Sequence, residues 1–411
     1  MQIRKDVIVD KIIWGLIVVL LLLFTSLSTY TWGRYVFFLI IGAILFLFAS
    51  INQWIISSHL DTFQRRFLLF AIYAGISSVW ALNGADSIEK MITLISLVVC
   101  FFPIYAYYRD FGNIDSLISA IKWGGIFMSL YTIFFYGLSN LMRAGQASNL
   151  RIVADYANPN TLGMFAAVVI FIQIWQLLFR KCKKWEIIGI LPAILVLGAS
   201  QSRKAILYVG IALVLLTIFK NLGNNQFFIG VIKIIFGLAV GLFCLYWLSK
   251  LEMFAGVAHR FEGLINSITG NGVVDSSTLD REFLRDLGIE WWKKSPIFGI
   301  GVGNPHIIAK QYFGSNCYLH NNYVELLCGG GIIGVILFYS MHLYCIKNLL
   351  SFKDTNRPYF ALMITWIILI LIMDYGMVSY YAKQETFYLM CIFLSIEMMK
   401  NNMEVGLEGT D

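Results

Sequence analysis

Charge is what this sequence has least of. Only 13% of its 411 residues are Asp, Glu, Lys or Arg, 59% are apolar, and mean hydropathy is +0.73. A soluble domain carries about 25% charged residues. Water cannot solvate so apolar a surface, so an ordinary soluble enzyme is excluded and the bilayer becomes the solvent. The centres of the apolar runs are poorer still. Lys122 and Lys233 lie near the ends of runs, where a long side chain can reach the interface. Proton and ion pathways need ionisable groups inside the membrane, so this scarcity argues against a proton-coupled transporter. The formal charge of +7 does not point to nucleic acid. In a membrane protein Lys and Arg mark cytoplasmic loops.

Other absences exclude other chemistry. The seven cysteines are odd in number, and Cys100, Cys244, Cys345 and Cys391 sit inside apolar runs. They read as small hydrophobes rather than a disulfide framework, although Cys317 and Cys328 can meet beside one loop. No His/Cys cluster has zinc-ligand spacing. Asp275 and Asp280 are too far apart to form an Asp-x-Asp pair for a metal-bound nucleotide sugar. No metal and no cofactor are therefore expected. Gly299-Ile300-Gly301-Val302-Gly303 has no strand before it and no suitably spaced helix after it, so it reads as a tight turn instead of a dinucleotide loop. Ser200, Ser202 and His320 lack a third member for a triad. No cleavable signal segment, internal repeat or low-complexity tract is evident.

What the sequence does have is apolar runs. A span needs about 20 apolar residues, and this criterion gives about twelve. They lie near 12–30, 35–56, 67–82, 88–108, 117–138, 160–179, 185–200, 204–220, 227–249, 326–346, 358–374 and 384–400. The seventh and eighth are short, and one kinked span there would reverse everything after it. With the N-terminus inside, the inner segments hold about twice as many Lys and Arg as the short outer loops, which predicts that both termini are cytoplasmic. Arg180-Lys181-Cys182-Lys183-Lys184 is the strongest anchor; binding of anionic lipid is its other reading. The expected fold is all-α: a polytopic membrane bundle with spans one to nine in 1–249, a large outer loop in 250–325, and spans ten to twelve with a cytoplasmic tail in 326–411.

The loop 250–325 alone has soluble-like composition. Leu279 to Lys294 reads as a helix capped by Asp280 and stopped by Pro296. Trp291 and Trp292 suit a headgroup interface or a sugar face. Several charges gather on the predicted outer side. Arg203 lies between two spans, and Arg281 and Arg285 lie one helical turn apart. Arg143 and Arg151 lie in another outer loop. His320 stands where the chain re-enters the membrane, with Glu325 five residues on. Arginines bind phosphate bidentately, and a His takes a proton near neutral pH. The residues alone suggest a phosphate-handling site. Solvated arginines and a structural His remain the plain alternatives.

The run His320-Asn321, nine residues, Gly331, two residues, Gly334 resembles the signature of the bacterial O-antigen ligase/polymerase family, in which a Glu five after the His (here Glu325) also recurs. Ser200-Gln201-Ser202-Arg203 resembles that family's polar turn ending in Arg. Arg281, Gly288 and Lys294-Ser295-Pro296 resemble its loop pattern, and Asn158-Pro159-Asn160 with Gly163 is similar too. These motifs cover residues 155–335. The resemblance implies a GT-C-like, metal-independent, inverting glycosyltransferase. Its donor would be an oligosaccharide on undecaprenyl diphosphate and its acceptor a second lipid-linked glycan, with other polysaccharide assembly proteins as further partners in the plasma membrane. Arg203 and Arg281 would bind the diphosphate, with Arg285 assisting. His320 would take the acceptor's proton, and Asn321 and Glu325 would orient it or hold sugar hydroxyls. Gly331 and Gly334 would set the loop's position or simply allow close helix packing. A capsule-type polymerase is the first expectation and a ligase the second. A flippase, which would show internal repeats and buried charges, is the rival of another class.

Overall fold

A computed structural model describes residues 2–24, 30–52, 54, 60–146, 158–182, 184–222, 276–314 and 316–408. The predicted span 227–249, the first part of the large loop and Arg151 lie outside the described residues. Among those described the structure is helical, with no strand. The helices are α1 (Gln2–Leu23), α2 (Thr31–Ile51), α3 (Thr62–Ile76), α4 (Gly84–Asp110), α5 (Ile114–Tyr136), α6 (Leu138–Gln146), α7 (Pro159–Phe179), α8 (Lys184–Ile188), α9 (Leu191–Ser200), α10 (Arg203–Asn221), α11 (Ser276–Lys294), α12 (Pro305–Phe313), α13 (Asn322–Leu349), α14 (Arg357–Met373) and α15 (Lys383–Glu408). Six of them, α2, α4, α5, α7, α10 and α13, are long and apolar enough to cross a membrane. The chain is a multi-pass helical membrane protein.

Several boundaries differ from expectation. The run at 67–82 stops as an α-helix at Ile76. Ser77 turns its hydroxyl back to the Ala74 carbonyl, and a single 3-10 turn comes next. The run at 185–200 is broken into α8 and α9, because Pro192 has no N–H to continue a helix from α8 and sits instead in the first turn of α9. Between α9 and α10 the chain breaks at Gln201, which is left-handed, so these are two helices and not one kinked rod. α11 begins at Ser276, which places Asp280 inside the helix instead of at its cap. Ser276, Ser277 and Thr278 are weaker helix formers than Ala, but each costs under about 0.7 kcal/mol, so the extra turn is tolerated.

The chain forms two compact units. One holds Met1–Ile44, Phe111–Val274 and Phe352–Leu369; the other holds Leu45–Asp110, Asp275–Ser351 and Ile370–Asp411. In the first, α7 is buried from Leu162 through Gln173. Small residues let its neighbours close in: a Cβ on Gly124 would strike Leu21 of α1, and one on Gly125 would strike Val169 of α7. Lys122 does not snorkel. It is 4% exposed, and its Nζ lies 2.6 Å from Gln176 Oε1 and 3.6 Å from Glu186 Oε2. These residues border a cavity of about 220 Å³. Desolvation would make a lone ammonium there costly, and the carboxylate and amide offset that cost.

The second unit is cemented by aromatic rings. Phe63 meets Tyr105 and Phe393, Phe70 meets Phe338 and Tyr380, and Phe101 meets Phe387. Its other tie is the glycine-rich turn at 299–303. Gly299, Gly301 and Gly303 all have positive φ, which makes the segment a turn as expected. Ile300 accepts from Leu82 N–H and donates to the Cys328 carbonyl. Val302 N–H donates to Ser77 Oγ, and Ser87 Oγ donates to the Val302 carbonyl. Asn304, fully buried, accepts from Asn83 N–H and donates to Ser87. The polar stretch that ends α3 early thus serves as a socket for this turn.

Candidate functional site

His320 is held in a conformation that few residues adopt. Its φ is +55°, left-handed for a side chain with a Cβ. The residues on its C-terminal side fix it there. Asn321 has extended backbone and caps α13, its Oδ1 accepting from Val324 N–H at 3.1 Å. Glu325, 4% exposed, accepts the Leu319 N–H through Oε2 at 2.8 Å. Glu325 therefore clamps the backbone just before His320, and the first turn of α13 is tied to the loop that enters it. The His320 ring lies 4.2 Å, centroid to centroid, from that of Tyr318. Burial pushes the Tyr318 phenol above its ordinary value, while the positive charge of Arg281 draws it back. Arg281 thus acts on the same ring that flanks His320.

Asn322 is wholly buried and binds on several sides. Its Oδ1 accepts from Ser379 N–H at 2.9 Å and Tyr380 N–H at 3.1 Å. Its Nδ2 lies 2.9 Å from Tyr339 Oη and 3.2 Å from Asp374 Oδ2, and its own N–H donates to the Asp374 carbonyl. The loop between α14 and α15 is thereby stapled to the start of α13. That loop also carries Tyr375, whose hydroxyl accepts from Arg285 at 3.2 Å. Arg285 also pairs with Glu282 and Asp286. Its guanidinium is shared between two acids and a phenol, whereas Arg281 is half-exposed and carries no such pairing among the described residues.

The loop glycines have packing roles. Gly331 sits at a kink inside α13 with φ +60° and ψ −166°. A Cβ there would collide with the Ile297 carbonyl and the Phe298 nitrogen. A Cβ on Gly288 would lie 2.6 Å from Leu319, so that glycine lets α11 close against the residues just before His320. The core beneath joins Leu284, Leu287, Ile300, Leu319 and Val324. Cys317 and Cys328 belong to this cluster as free thiols rather than as a disulfide. Trp292 donates to the Pro296 carbonyl, and Trp291 packs on the cluster with Lys294 over its ring.

Arg203 belongs to the other unit. It is the first residue of α10, after Ser202, whose Oγ accepts from Ala205 N–H. Gln201, left-handed at φ +49°, is buried and donates to the Ala144 carbonyl at 2.6 Å. Asn158 caps α7 by accepting from Asn160 N–H, and a Cβ on Gly163 would lie 2.6 Å from Ser200 Oγ and 3.0 Å from Ser202 Cβ. Two sequence motifs thus meet physically within this unit: the Asn-Pro-Asn start of α7 leads to the glycine that the Arg203 turn packs on. Arg143 is exposed on α6.

Residues 187–339 match the sequence profile of a family described as O-antigen ligase. This part of the chain is thus similar to the O-antigen ligase/polymerase family. The matched segment contains Arg203, Arg281, Arg285, His320, Asn321 and Glu325. No curated protein sequence matches the chain at a significant level.

Sequence reasoning misses several participants. Asn322 is unremarkable beside Asn321, yet it is the one that binds the far loop. Lys90, which hydropathy assigns to an outer loop, lies in α4 with its Nζ 3.6 Å from the centroid of the Tyr381 ring. His306 has no motif around it, and pairs with Asp86 at 3.3 Å. A cavity of about 270 Å³ is lined by Lys90, His306, Tyr318, Glu325, Tyr380 and Tyr381.

Proposed function

We propose that this protein is a polysaccharide polymerase. It transfers a glycan from undecaprenyl diphosphate to a lipid-linked repeat unit, without a metal and with inversion at the anomeric carbon. The observation that carries this reading is the arrangement around His320 within the segment that matches the O-antigen ligase profile: a half-exposed imidazole on a left-handed residue, clamped by Glu325 and Asn321, with Tyr318 packed on its ring. His320 takes the proton from the acceptor hydroxyl as the oxygen attacks the anomeric carbon. The bond from that carbon to the diphosphate oxygen breaks, and the lipid diphosphate leaves with the electron pair. Arg281 stabilises the charge that builds there, and Arg285 joins it by exchanging its carboxylate partners for phosphate. Arg203 is assigned to the diphosphate by the family resemblance alone. About twelve spans in a GT-C-like arrangement, both termini cytoplasmic and the site on the outer face complete the reading.

Ligation to lipid A-core or another acceptor is the second reading, favoured by the description of the matching family. The two share chemistry and differ in acceptor. Purified protein in liposomes, given one lipid diphosphate-linked repeat unit and no other acceptor, separates them. A polymerase yields a ladder of lengths that His320→Ala and Arg281→Ala abolish. A ligase yields product only once lipid A-core is added. Failure to transfer to either acceptor would overturn the transferase reading.

A further inference from the structure

The cavity beside His320 has a chemistry of its own. Its walls include the rings of Tyr318, Tyr380 and Tyr381. Between them stand the Lys90 ammonium, the Glu325 carboxyl and His306, whose Nδ1 lies 2.8 Å from the Gly303 carbonyl. The lining holds one ammonium, that of Lys90, and one carboxyl, that of Glu325, and His306 Nε2 lies 3.3 Å from Asp86 Oδ2 behind it. A diphosphate needs an excess of positive charge, which this cavity lacks and the arginines of α11 supply. A lipid tail needs apolar walls without buried ammonium or carboxyl groups. A pyranose ring meets both conditions found here. Its C–H faces pack on aromatic rings, and its hydroxyl edges both donate and accept.

Two lining residues link the cavity to the candidate base. Tyr318 packs on the His320 ring, and Glu325 holds the Leu319 N–H one residue before it. We propose that this cavity binds the terminal sugar of the acceptor, and that this sugar is an uncharged pyranose. The assignment to the acceptor rests on the transferase reading; the sugar chemistry of the cavity does not. Gly303 contributes by its smallness, since a Cβ there would crowd Lys90 at 3.2 Å.

The test reads binding rather than catalysis. Saturation-transfer NMR is run on the purified protein in nanodiscs with methyl glycosides of an uncharged hexose, an N-acetylhexosamine and a hexuronic acid. An uncharged glycoside is expected to receive saturation. Tyr381→Ala and Lys90→Gln should each weaken it by about tenfold or more. Tyr381→Phe, which keeps the ring, should retain binding and so separate loss of the platform from loss of fold. His320→Ala should bind the glycoside and fail to transfer. Binding of the hexuronic acid alone, of no glycoside, or of glycosides equally by wild type and Tyr381→Ala would each overturn the proposal. A wild-type protein that binds the glycoside but transfers from no lipid diphosphate would sink the transferase reading and leave the cavity's chemistry standing. Transfer without glycoside binding would do the reverse.

Discussion

The turn before α10 and the turn before α13 share one backbone plan. In each, a non-glycine residue with positive φ precedes a capping residue: Gln201 before Ser202, and His320 before Asn321. Trp54 is the third such residue among those described. The side chains use the plan oppositely. Gln201 is buried and binds the Ala144 carbonyl, while the residue after the cap, Arg203, is half-exposed. His320 is half-exposed, while the residue after its cap, Asn322, is wholly buried. One turn buries its left-handed residue and displays the helix start. The other buries the helix start and displays its left-handed residue. A left-handed residue with a Cβ costs about 1–3 kcal/mol. At 201 that cost is met by a buried hydrogen bond. At 320 it is met by neighbours, Glu325 and Asn321, while the imidazole stays half-exposed.

Substitutions at several positions should separate the two turns. The largest effect is expected at His320. Changing it to Ala should lower transfer by about 10²–10⁴-fold, the range for a general base, with unchanged folded yield, and His320→Gly should raise thermal stability while leaving the enzyme inactive. Arg281→Ala should cost about a hundredfold in kcat/KM, as loss of one donor to a developing anion does. Arg281→Lys should recover part of that through charge without the bidentate fork. Asn322→Ala leaves the Ser379 and Tyr380 N–H groups unpaired and should destabilise the fold by about 2–4 kcal/mol, read as a lower midpoint in thermal unfolding. In the other unit, Gly163→Ala pushes on Ser200 and Ser202 and should cost about 1–3 kcal/mol. Glu325→Gln should have the smallest effect, under about tenfold in rate, because the amide oxygen still accepts the Leu319 N–H. Glu325→Ala should cost more, since it releases that clamp.

The helices are legible in the sequence because apolar length is a local property. Pro159–Phe179 and Arg203–Asn221 fall within a residue or so of the runs read at 160–179 and 204–220. What resists reading depends on distant partners. Nothing near Lys122 in sequence says that Glu186 will meet it, so by sequence alone it reads as a snorkelling residue. Nothing near Ser77 says that a glycine turn beyond residue 298 will need its hydroxyl. The same holds in the candidate site. His320, Asn321 and Glu325 stand together in a short motif and can be named from it. Lys90 and Tyr381 come from opposite ends of the chain and become neighbours only through folding. The glycines are readable as motif members, but which backbone each one accommodates is not.

A His320 displayed for chemistry and a Gln201 kept for structure, on the same backbone plan, should respond differently to removal. The most direct measurement compares His320→Ala with Gln201→Ala in the liposome transfer assay, normalised to folded protein. His320→Ala should fold in normal yield and make no ladder. Gln201→Ala should fold in lower yield, with each folded molecule close to wild type in activity. A ladder from His320→Ala would contradict the role given to His320.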